Sequence, residues 1–107
     1  TNLGEGIQVL PNATINPRVN IGVSCIINTS SSIDHECTLG DGVHIGPGAK
    51  LAGCISIDDN SFIGTNATIL PNIKIGKNVI IGAGSVVTKD IPDNVIAFGN
   101  PCIIKSV

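Results

Sequence analysis

The chain has 107 residues, a formal net charge of −2 and two phenylalanines, with neither tryptophan nor tyrosine. This length suits a single domain, and the mildly acidic balance argues against a nucleic-acid partner. The sequence contains no long apolar run and no signal-peptide pattern at its start, so we expect no membrane partner and a cytoplasmic location.

An aliphatic residue recurs every six positions, and the residue four positions after each is small or apolar. The aliphatic series is Leu3, Val9, Ile15, Ile21, Ile27, Ile33, Leu39, Ile45, Leu51, Ile57, Ile63, Ile69, Ile75, Ile81 and Val87. A strict hexapeptide period predicts an all-β parallel β-helix, in which short strands form coils that stack on one another. Ile, Leu, Val and Ala fill the narrow interior of such a solenoid, so large aromatic side chains are not needed.

Turn residues separate the predicted strands. The third residue after most aliphatic positions is Gly or Asn, and proline precedes it at Pro11, Pro47 and Pro71. Gly and Asn tolerate positive φ, and proline followed by either is typical of a type II turn. Three hexapeptides then close one triangular coil, so residue n lies next to residue n+18, about 4.8 Å away. The fifteen repeats make about five coils.

The repeat also sets the expected boundaries. We expect the β-helix domain over residues 1–92 and a C-terminal tail over residues 93–107 that packs on the last coil, because Pro92, Asp93 and Asn94 interrupt the period. At the other end, the first residues enter the pattern with nothing to cap the first coil. Terminal repeats usually carry a cap, which favours an upstream segment, a separate chain or a partner there.

The four cysteines show no C-x-x-C spacing. Cys25 and Cys37 occupy inward positions twelve residues apart, and therefore lie on different faces of the coil. We expect core thiols in a reducing compartment rather than disulfides or a zinc site. Cys54 follows Gly53, and we do not expect it to act as a nucleophile because no activating neighbour is evident.

His35 is one of two histidines, and it falls at a corner between Asp34 and Glu36. A carboxylate bonded to one ring nitrogen fixes the tautomer and makes the other nitrogen a better base. Gly53 lies eighteen residues further on, where it leaves room for a substrate and places a backbone N–H beside the base. A base next to an N–H donor is the smallest set of catalytic groups that acyl transfer requires. The alternative is a corner histidine that is simply solvated.

The second histidine, His44, lies nine residues from His35, which is half a coil. The two side chains therefore lie on different sides of the triangle. They can meet only if a second β-helix packs alongside, as in a three-fold symmetric trimer. Taken alone, His44 is equally consistent with interface packing and with ligand contact.

Two segments resemble the hexapeptide-repeat sugar acetyltransferases of bacteria, which include sialic acid O-acetyltransferases and UDP-4-amino-sugar N-acetyltransferases. One covers residues 27–53, with Asp34-His35-Glu36 and His44-Ile45-Gly46-Pro47-Gly48, and the other covers residues 81–92 and 99–101. The resemblance extends over nearly the whole chain. It implies left-handed coils, although the general rule for parallel crossovers predicts right-handed ones.

The resemblance implies acetyl-CoA as co-substrate, no metal, a small-molecule sugar or nucleotide-sugar acceptor, and a homotrimer with active sites at the subunit seams. It makes His35 the general base, with Glu36 hydrogen-bonded to it and the Gly53 N–H holding the thioester oxygen. Direct transfer, without an acyl-enzyme, follows from these roles. These enzymes usually carry an N-terminal β-α-β domain that grips the acceptor. This chain lacks it, so it is either a fragment or an enzyme for another acceptor.

The remaining implied roles concern ligand binding. Asn28 would help to place the acceptor, and the acetyl-CoA groove would be lined by Gly53, His44, Thr65 and Ala83. Spacing supports one part of this independently, because Thr65 and Ala83 are eighteen residues apart and stack. Together with Pro47 they form a column along the axis, as an extended pantetheine arm needs.

Three alternatives remain. A γ-carbonic anhydrase would need three histidines around zinc, whereas this chain has two at an unsuitable spacing. An ice-binding or scaffold β-helix would need a regular threonine ladder, which the threonines here do not form. A truncated, non-catalytic trimerisation module would show the same motifs.

Overall fold

The computed structural model describes residues 1–106, so Val107, the last residue of the expected tail, lies outside the described part of the chain. Residues 1–106 contain strands and turns, and no helix in this range could cross a membrane.

Fifteen strands have two residues each: β1 (Asn2–Leu3), β2 (Gln8–Val9), β3 (Thr14–Ile15), β4 (Asn20–Ile21), β5 (Ile26–Ile27), β6 (Ser32–Ile33), β7 (Thr38–Leu39), β8 (His44–Ile45), β9 (Lys50–Leu51), β10 (Ser56–Ile57), β11 (Phe62–Ile63), β12 (Thr68–Ile69), β13 (Lys74–Ile75), β14 (Ile80–Ile81) and β15 (Val86–Val87). Two longer strands follow, β16 (Ile96–Gly99) and β17 (Cys102–Ser106).

The strands form three parallel sheets, one for each side of a triangular coil. Sheet I has the order β1-β4-β7-β10-β13, sheet II has β2-β5-β8-β11-β14-β16-β17, and sheet III has β3-β6-β9-β12-β15. The register advances by eighteen residues, as in the pairs Ile26↔His44 and Ser32↔Lys50. The predicted all-β left-handed parallel β-helix of about five coils is confirmed.

The core follows directly from the repeat. The second residue of each two-residue strand points inward, and Ile27, Ile45, Ile63 and Ile81 are fully buried in sheet II. Full burial of a side chain of this size contributes about 1.5–3 kcal/mol relative to exposure. The position four residues after each aliphatic residue also lies inward, and its serines form hydrogen bonds with backbone groups. Ser61 Oγ, for example, donates to the carbonyl of Gly76 at 2.6 Å.

The corners carry the backbone conformation that the turn residues predict. Positive φ occurs at Gly and Asn positions such as Gly48 and Asn72, with values of 69° and 64°. Residues with larger side chains adopt it as well, including Glu36 at 60° and Cys54 at 61°. The ladders on both sides of each corner fix its geometry, so a non-glycine residue is held in a conformation that it would otherwise rarely adopt.

The two ends of the β-helix differ. Leu3 and Val9, whose side chains begin the interior column, are 52% and 47% exposed. At the other end the coil continues beyond the expected boundary, because β16 pairs in parallel with β14 through Ile80↔Ile96. The register there is sixteen residues instead of eighteen. β17 then returns antiparallel to β16 and also lies against β15.

Cysteine burial agrees with expectation at three positions and differs at one. Cys25, Cys37 and Cys102 are buried, and all four thiols are free. Cys54 is exposed instead of buried in the core. The reason is its place as the second residue of a corner, where the side chain points away from the interior.

Candidate active site

The corner between sheets III and I, which we call the histidine corner, presents two columns of residues along the axis. Pro17, His35, Gly53 and Pro71 stack in the first column, and Arg18, Glu36, Cys54 and Asn72 stack in the second. Backbone bonds between coils hold both in register: the Cys54 N–H donates to the His35 carbonyl at 3.0 Å, and the Asn72 N–H donates to the Gly53 carbonyl at 3.1 Å. The predicted stacking of His35 and Gly53 is therefore present.

The His35 imidazole lies against Gly53. A β-carbon placed on Gly53 would be 2.7 Å from both Cε1 and Nε2 of His35, closer than van der Waals contact permits. The sequence suggested that this glycine leaves space for a substrate, whereas in the structure the imidazole itself fills that space. Within residues 1–106 the Gly53 N–H donates to no acceptor. The His35 ring thus lies against a residue whose backbone N–H is unpaired in this part of the chain.

Glu36 lies beside the other nitrogen of the same ring. Its Oε1 is 3.4 Å from His35 Nδ1 and 3.5 Å from Nη2 of Arg18. These distances are longer than a normal N–H···O hydrogen bond, so a shift of about 0.3–0.5 Å is needed to form one. His35 and Glu36 are each about half exposed, at 49% of their side-chain area.

Asp34, the second carboxylate next to His35 in sequence, does not face the imidazole. Its Oδ1 accepts the His35 backbone N–H at 2.7 Å and the side-chain amide of Asn16 at 2.9 Å. These two hydrogen bonds, the backbone one first, hold the pKa of Asp34 below its ordinary value. Asp34 therefore stabilises the corner, and only Glu36 is placed to act on the ring.

Asn28 and His44 form a pair where sheet II meets the corner that leads to sheet III. The Asn28 Oδ1 accepts the backbone N–H of Thr29 at 2.7 Å, which turns its Nδ2 toward Nε2 of His44 at 3.2 Å. Because an amide nitrogen only donates, His44 Nε2 accepts and its proton lies on Nδ1. Desolvation by burial lowers the pKa of His44 and favours this neutral form. The ring also packs edge-on against Phe62, with centroids 4.9 Å apart.

Sequence reasoning did not identify this pair, although a signal was available. Because the register is eighteen residues, His44 stacks over Ile26. Asn28 follows Ile26 by two residues and lies at the adjoining corner, within reach of the imidazole.

Thr65 and Ala83 lie at the corner between sheets II and III, near the Asn28–His44 pair. The Asn66 N–H donates to the Pro47 carbonyl at 2.9 Å, and the Gly84 N–H donates to the Thr65 carbonyl at 2.8 Å. The predicted column of Pro47, Thr65 and Ala83 is therefore present, and all three are exposed.

The candidate residues thus form two groups on opposite sides of sheet III. His35, Glu36 and Gly53 lie after the strands of sheet III, whereas Asn28, His44, Thr65 and Ala83 lie before them. Strand β6 separates Asn28 from His35. A single chain therefore does not bring the two histidines together, as the spacing predicts, and the zinc-anhydrase alternative is not favoured.

Two surface depressions of the single chain do not include residues of the histidine corner. One lies on sheet III between Ser32, Lys50 and Thr68, and another lies on sheet I between Ser56, Lys74 and Asp90. His35, Glu36 and Gly53 line neither of them.

The outer face of sheet II is the apolar side of the triangle. Its outward row includes Phe62, Ile80 and Ile96, which are 37%, 46% and 39% exposed. The equivalent row on sheet I carries Asn20, Thr38, Ser56 and Lys74. A contiguous apolar row on one face is typical of a protein–protein contact.

Comparison with known proteins shows what part of the repeat is similar to. Residues 54–89 match the family model described as bacterial transferase hexapeptide (six repeats). A 21-residue segment is 76% identical to galactoside O-acetyltransferase of Lactococcus lactis, over 20% of this chain and 10% of that protein. The repeat of residues 54–89 is therefore similar to the hexapeptide repeat of bacterial transferases.

Solved structures give a closer likeness. The GDP-perosamine N-acetyl transferase of Caulobacter crescentus, a mutant in complex with CoA and GDP-perosamine, is 42% identical over 99% of this chain and 50% of its own, with a TM-score of 0.97. The acetyltransferase domain of PglB from Neisseria gonorrhoeae, in complex with acetyl coenzyme A, is 37% identical over 99% and 51%, with a TM-score of 0.93. WeeI from Acinetobacter baumannii is 34% identical over 96% and 54%, with a TM-score of 0.87.

These likenesses confirm the resemblance to hexapeptide-repeat sugar acetyltransferases. The chain spans about half the length of these three structures.

Proposed function

We propose that this chain is an acetyl-CoA-dependent acetyltransferase that acts on an amine or hydroxyl of a bacterial glycan sugar. The observation that carries the proposal is the contact between the His35 imidazole and Gly53, whose N–H has no acceptor within residues 1–106. The likeness to two acetyltransferase structures, one holding acetyl coenzyme A and the other CoA with GDP-perosamine, supports both the reaction and the co-substrate.

In the proposed reaction the acceptor nitrogen or oxygen attacks the thioester carbonyl of acetyl-CoA, and Nε2 of His35 takes the proton that the acceptor loses. The carbonyl oxygen becomes a tetrahedral oxyanion and accepts the Gly53 N–H. As the C–S bond breaks, the proton passes from His35 to the leaving thiolate of CoA. General-base assistance of this kind contributes about 10²–10⁴ in rate.

Glu36 has a positioning role in this scheme. Its carboxylate lies 3.4 Å from Nδ1 of His35. Accepting the Nδ1–H leaves Nε2 unprotonated and able to act as the base, and the negative charge stabilises the imidazolium once it forms. No covalent acyl-enzyme is needed, and we propose no metal in the reaction.

The second group of residues would bind the co-substrate and the acceptor. The column of Pro47, Thr65 and Ala83 spans two coil spacings, about 9.6 Å, and offers an extended groove for a pantetheine arm. His44 borders this groove, and Asn28, which donates to His44, helps to place the acceptor.

A complete site then requires a second copy of the chain, because the two groups occupy different corners. We propose a homotrimer in which the histidine corner of one chain meets the sheet II side of its neighbour. The apolar row of Phe62, Ile80 and Ile96 supplies the contact surface. Closed three-fold symmetry gives three equivalent seams and three active sites.

We propose a cytoplasmic location, which agrees with four free cysteines and with the use of acetyl-CoA. The acceptor is a sugar or a nucleotide sugar, with the sugar amine or hydroxyl as nucleophile.

The direct experiment is an acetyl-transfer assay on the purified chain, with release of free CoA thiol as the readout. Acetyl-CoA is offered with nucleotide-linked amino sugars in one series and with simple galactosides in another. We expect thermal stabilisation by acetyl-CoA alone and thiol release that depends on one acceptor class. Neither stabilisation nor transfer with any acceptor would instead indicate a non-catalytic module.

A further inference from the structure

The histidine corner contains a group of three potential metal ligands that the sequence did not predict. One donor atom from each of His35, Glu36 and Cys54 lies within 4.8 Å of the other two, and all three residues are exposed. Only His35 and Glu36 take part in the proposed reaction. Cys54 has no role there, although its thiol lies at the same surface.

The backbone directs these side chains to one point. Glu36 and Cys54 occupy the same corner position in successive coils, with φ of 60° and 61°, so both project outward in the same direction. His35 precedes Glu36, and its carbonyl accepts the Cys54 N–H at 3.0 Å. Three side chains of different chemistry are therefore held together by the most regular part of the fold rather than by a mobile loop.

The spacing suits a tetrahedral ion. Zn²⁺ binds imidazole nitrogen and carboxylate oxygen at about 2.0–2.2 Å, which places two such ligands about 3.3–3.5 Å apart in a tetrahedron. The separation of His35 Nδ1 from Glu36 Oε1 is 3.4 Å. The Cys54 sulfur lies within 4.8 Å of the donor atoms of His35 and Glu36. Rotation about its single side-chain torsion can bring it toward the Zn–S distance of about 2.3 Å.

The chemistry of the three donor groups determines which metal ion is favoured. Imidazole with thiolate favours Zn²⁺ over Mg²⁺ and Ca²⁺, which prefer sets of oxygen ligands. We propose that His35, Glu36 and Cys54 bind one Zn²⁺ per chain, with water in the fourth position, and that the bound ion blocks acetyl transfer because a His35 ring bound through Nδ1 carries its proton on Nε2 and cannot act as the base. The thiol proton is released to solvent when the thiolate binds. The binding claim is independent of the proposed function, whereas the inhibition rests on it.

Arg18 competes for the same carboxylate. Its Nη2 lies 3.5 Å from the Glu36 oxygen that faces His35, and its positive charge disfavours a cation at this point. Removal of the guanidinium frees Glu36 and lowers the local positive charge. Arg18→Ala is therefore expected to tighten zinc binding, which is the opposite direction from the ligand variants.

The test is a calorimetric titration of the metal-free full chain with zinc chloride, with Co²⁺ absorption as a second readout. The wild type is expected to bind one Zn²⁺ per chain and to show a thiolate-to-cobalt charge-transfer band. Cys54→Ser is expected to lose that band and to bind Zn²⁺ at least about tenfold more weakly, because even the loss of an outer partner of a ligand costs that much. His44→Gln, which changes the histidine outside the cluster, is expected to bind Zn²⁺ as the wild type does.

Measurements of acetyl transfer distinguish a failure of the metal site from a failure of the proposed function. Cys54→Ser is expected to keep the basal acetyl-transfer rate and to lose its inhibition by zinc. If the chain binds zinc but transfers no acetyl group, the metal site is supported and the proposed function is excluded. Wild-type affinity in Cys54→Ser, or no thiolate-to-cobalt band in the wild type, overturns the metal site.

Discussion

The imidazole of His35 occupies the volume that a β-carbon on Gly53 would need, with Cε1 and Nε2 only 2.7 Å from that point. The two residues are eighteen positions apart and belong to successive coils, so the repeat itself creates the contact. The absence of a side chain at Gly53 is what allows the ring to lie over the corner. The role of the missing side chain at Gly53 can therefore be tested separately from the role of its backbone N–H.

Gly53→Ala is expected to displace the His35 ring. The Gly53 backbone does not have positive φ, so alanine is compatible with the local conformation and the fold is retained. The methyl group instead forces the imidazole away, and a displacement of about 1 Å at a reacting group costs about 10²-fold in rate. Steady-state acetyl transfer measures the loss, and thermal unfolding checks the fold.

A double-mutant cycle provides the control for this prediction. In a His35→Ala background, Gly53→Ala is expected to add little further loss, because the ring that it displaces is already absent. Fully multiplicative losses would show that Gly53 acts independently of His35.

Mixed trimers test whether the site is shared between chains. His35→Ala removes one half of each seam and His44→Gln alters the other half, so each variant alone is expected to be impaired. Random co-assembly in equal amounts should restore both halves at about one quarter of the seams. Activity of the co-expressed mixture above that of either variant alone measures this restoration, and no gain would contradict a site built from two chains.

The apolar row on sheet II provides a test of assembly. Phe62→Glu introduces a charge into the proposed interface, and its cost of desolvation is expected to weaken the trimer by more than about 10²-fold in dissociation constant. Ser56→Glu is the matched control, because Ser56 has the equivalent outward position on sheet I. Light scattering after gel filtration should find a smaller species only for Phe62→Glu. A trimer that survives Phe62→Glu would place the interface elsewhere.

Stability should depend on pH through His44. Burial lowers the pKa of His44 in the folded chain, whereas the unfolded chain has the ordinary value of about 6.5. As the pH falls through this region the unfolded state binds more protons, so the folded state loses stability. Asp34, whose folded pKa is also lowered, contributes only at more acidic pH, below about 3.9.

His44→Gln keeps a polar group for Asn28 but removes the titration. Denaturant unfolding at pH 7.5 and pH 5.0 is expected to show a smaller loss of stability in this variant than in the wild type. Equal losses in the two proteins would exclude His44 as the source.

The hexapeptide period predicted the stacked coils because it controls both the inward residues and the register, whereas the left hand followed from the family resemblance. The burial of Ile45 and Ile63, and the stacking of His35 on Gly53, follow from counting in sixes and eighteens. The period did not predict that sheet II continues through β16. The segment between Val87 and Ile91 is two residues shorter than a repeat, so the period is lost while the backbone ladder continues.

Side-chain orientation was the harder part of the site. Both carboxylates next to His35 looked suitable, but Asp34 bonds to the backbone and only Glu36 reaches the ring. This choice depends on rotamers and turn geometry, which a repeat pattern does not specify. The exposure of Cys54, in contrast, follows from its corner position and could have been inferred from the same column as Glu36.

The general-base role of His35 is tested most directly by the rate of acetyl transfer by His35→Ala, measured on a preparation whose oligomeric state and melting temperature match the wild type. Because His35 is about half exposed, the change should affect stability by no more than about 0.5 kcal/mol. The general-base role predicts a turnover about 10²–10⁴-fold below wild type. Turnover equal to wild type would contradict it.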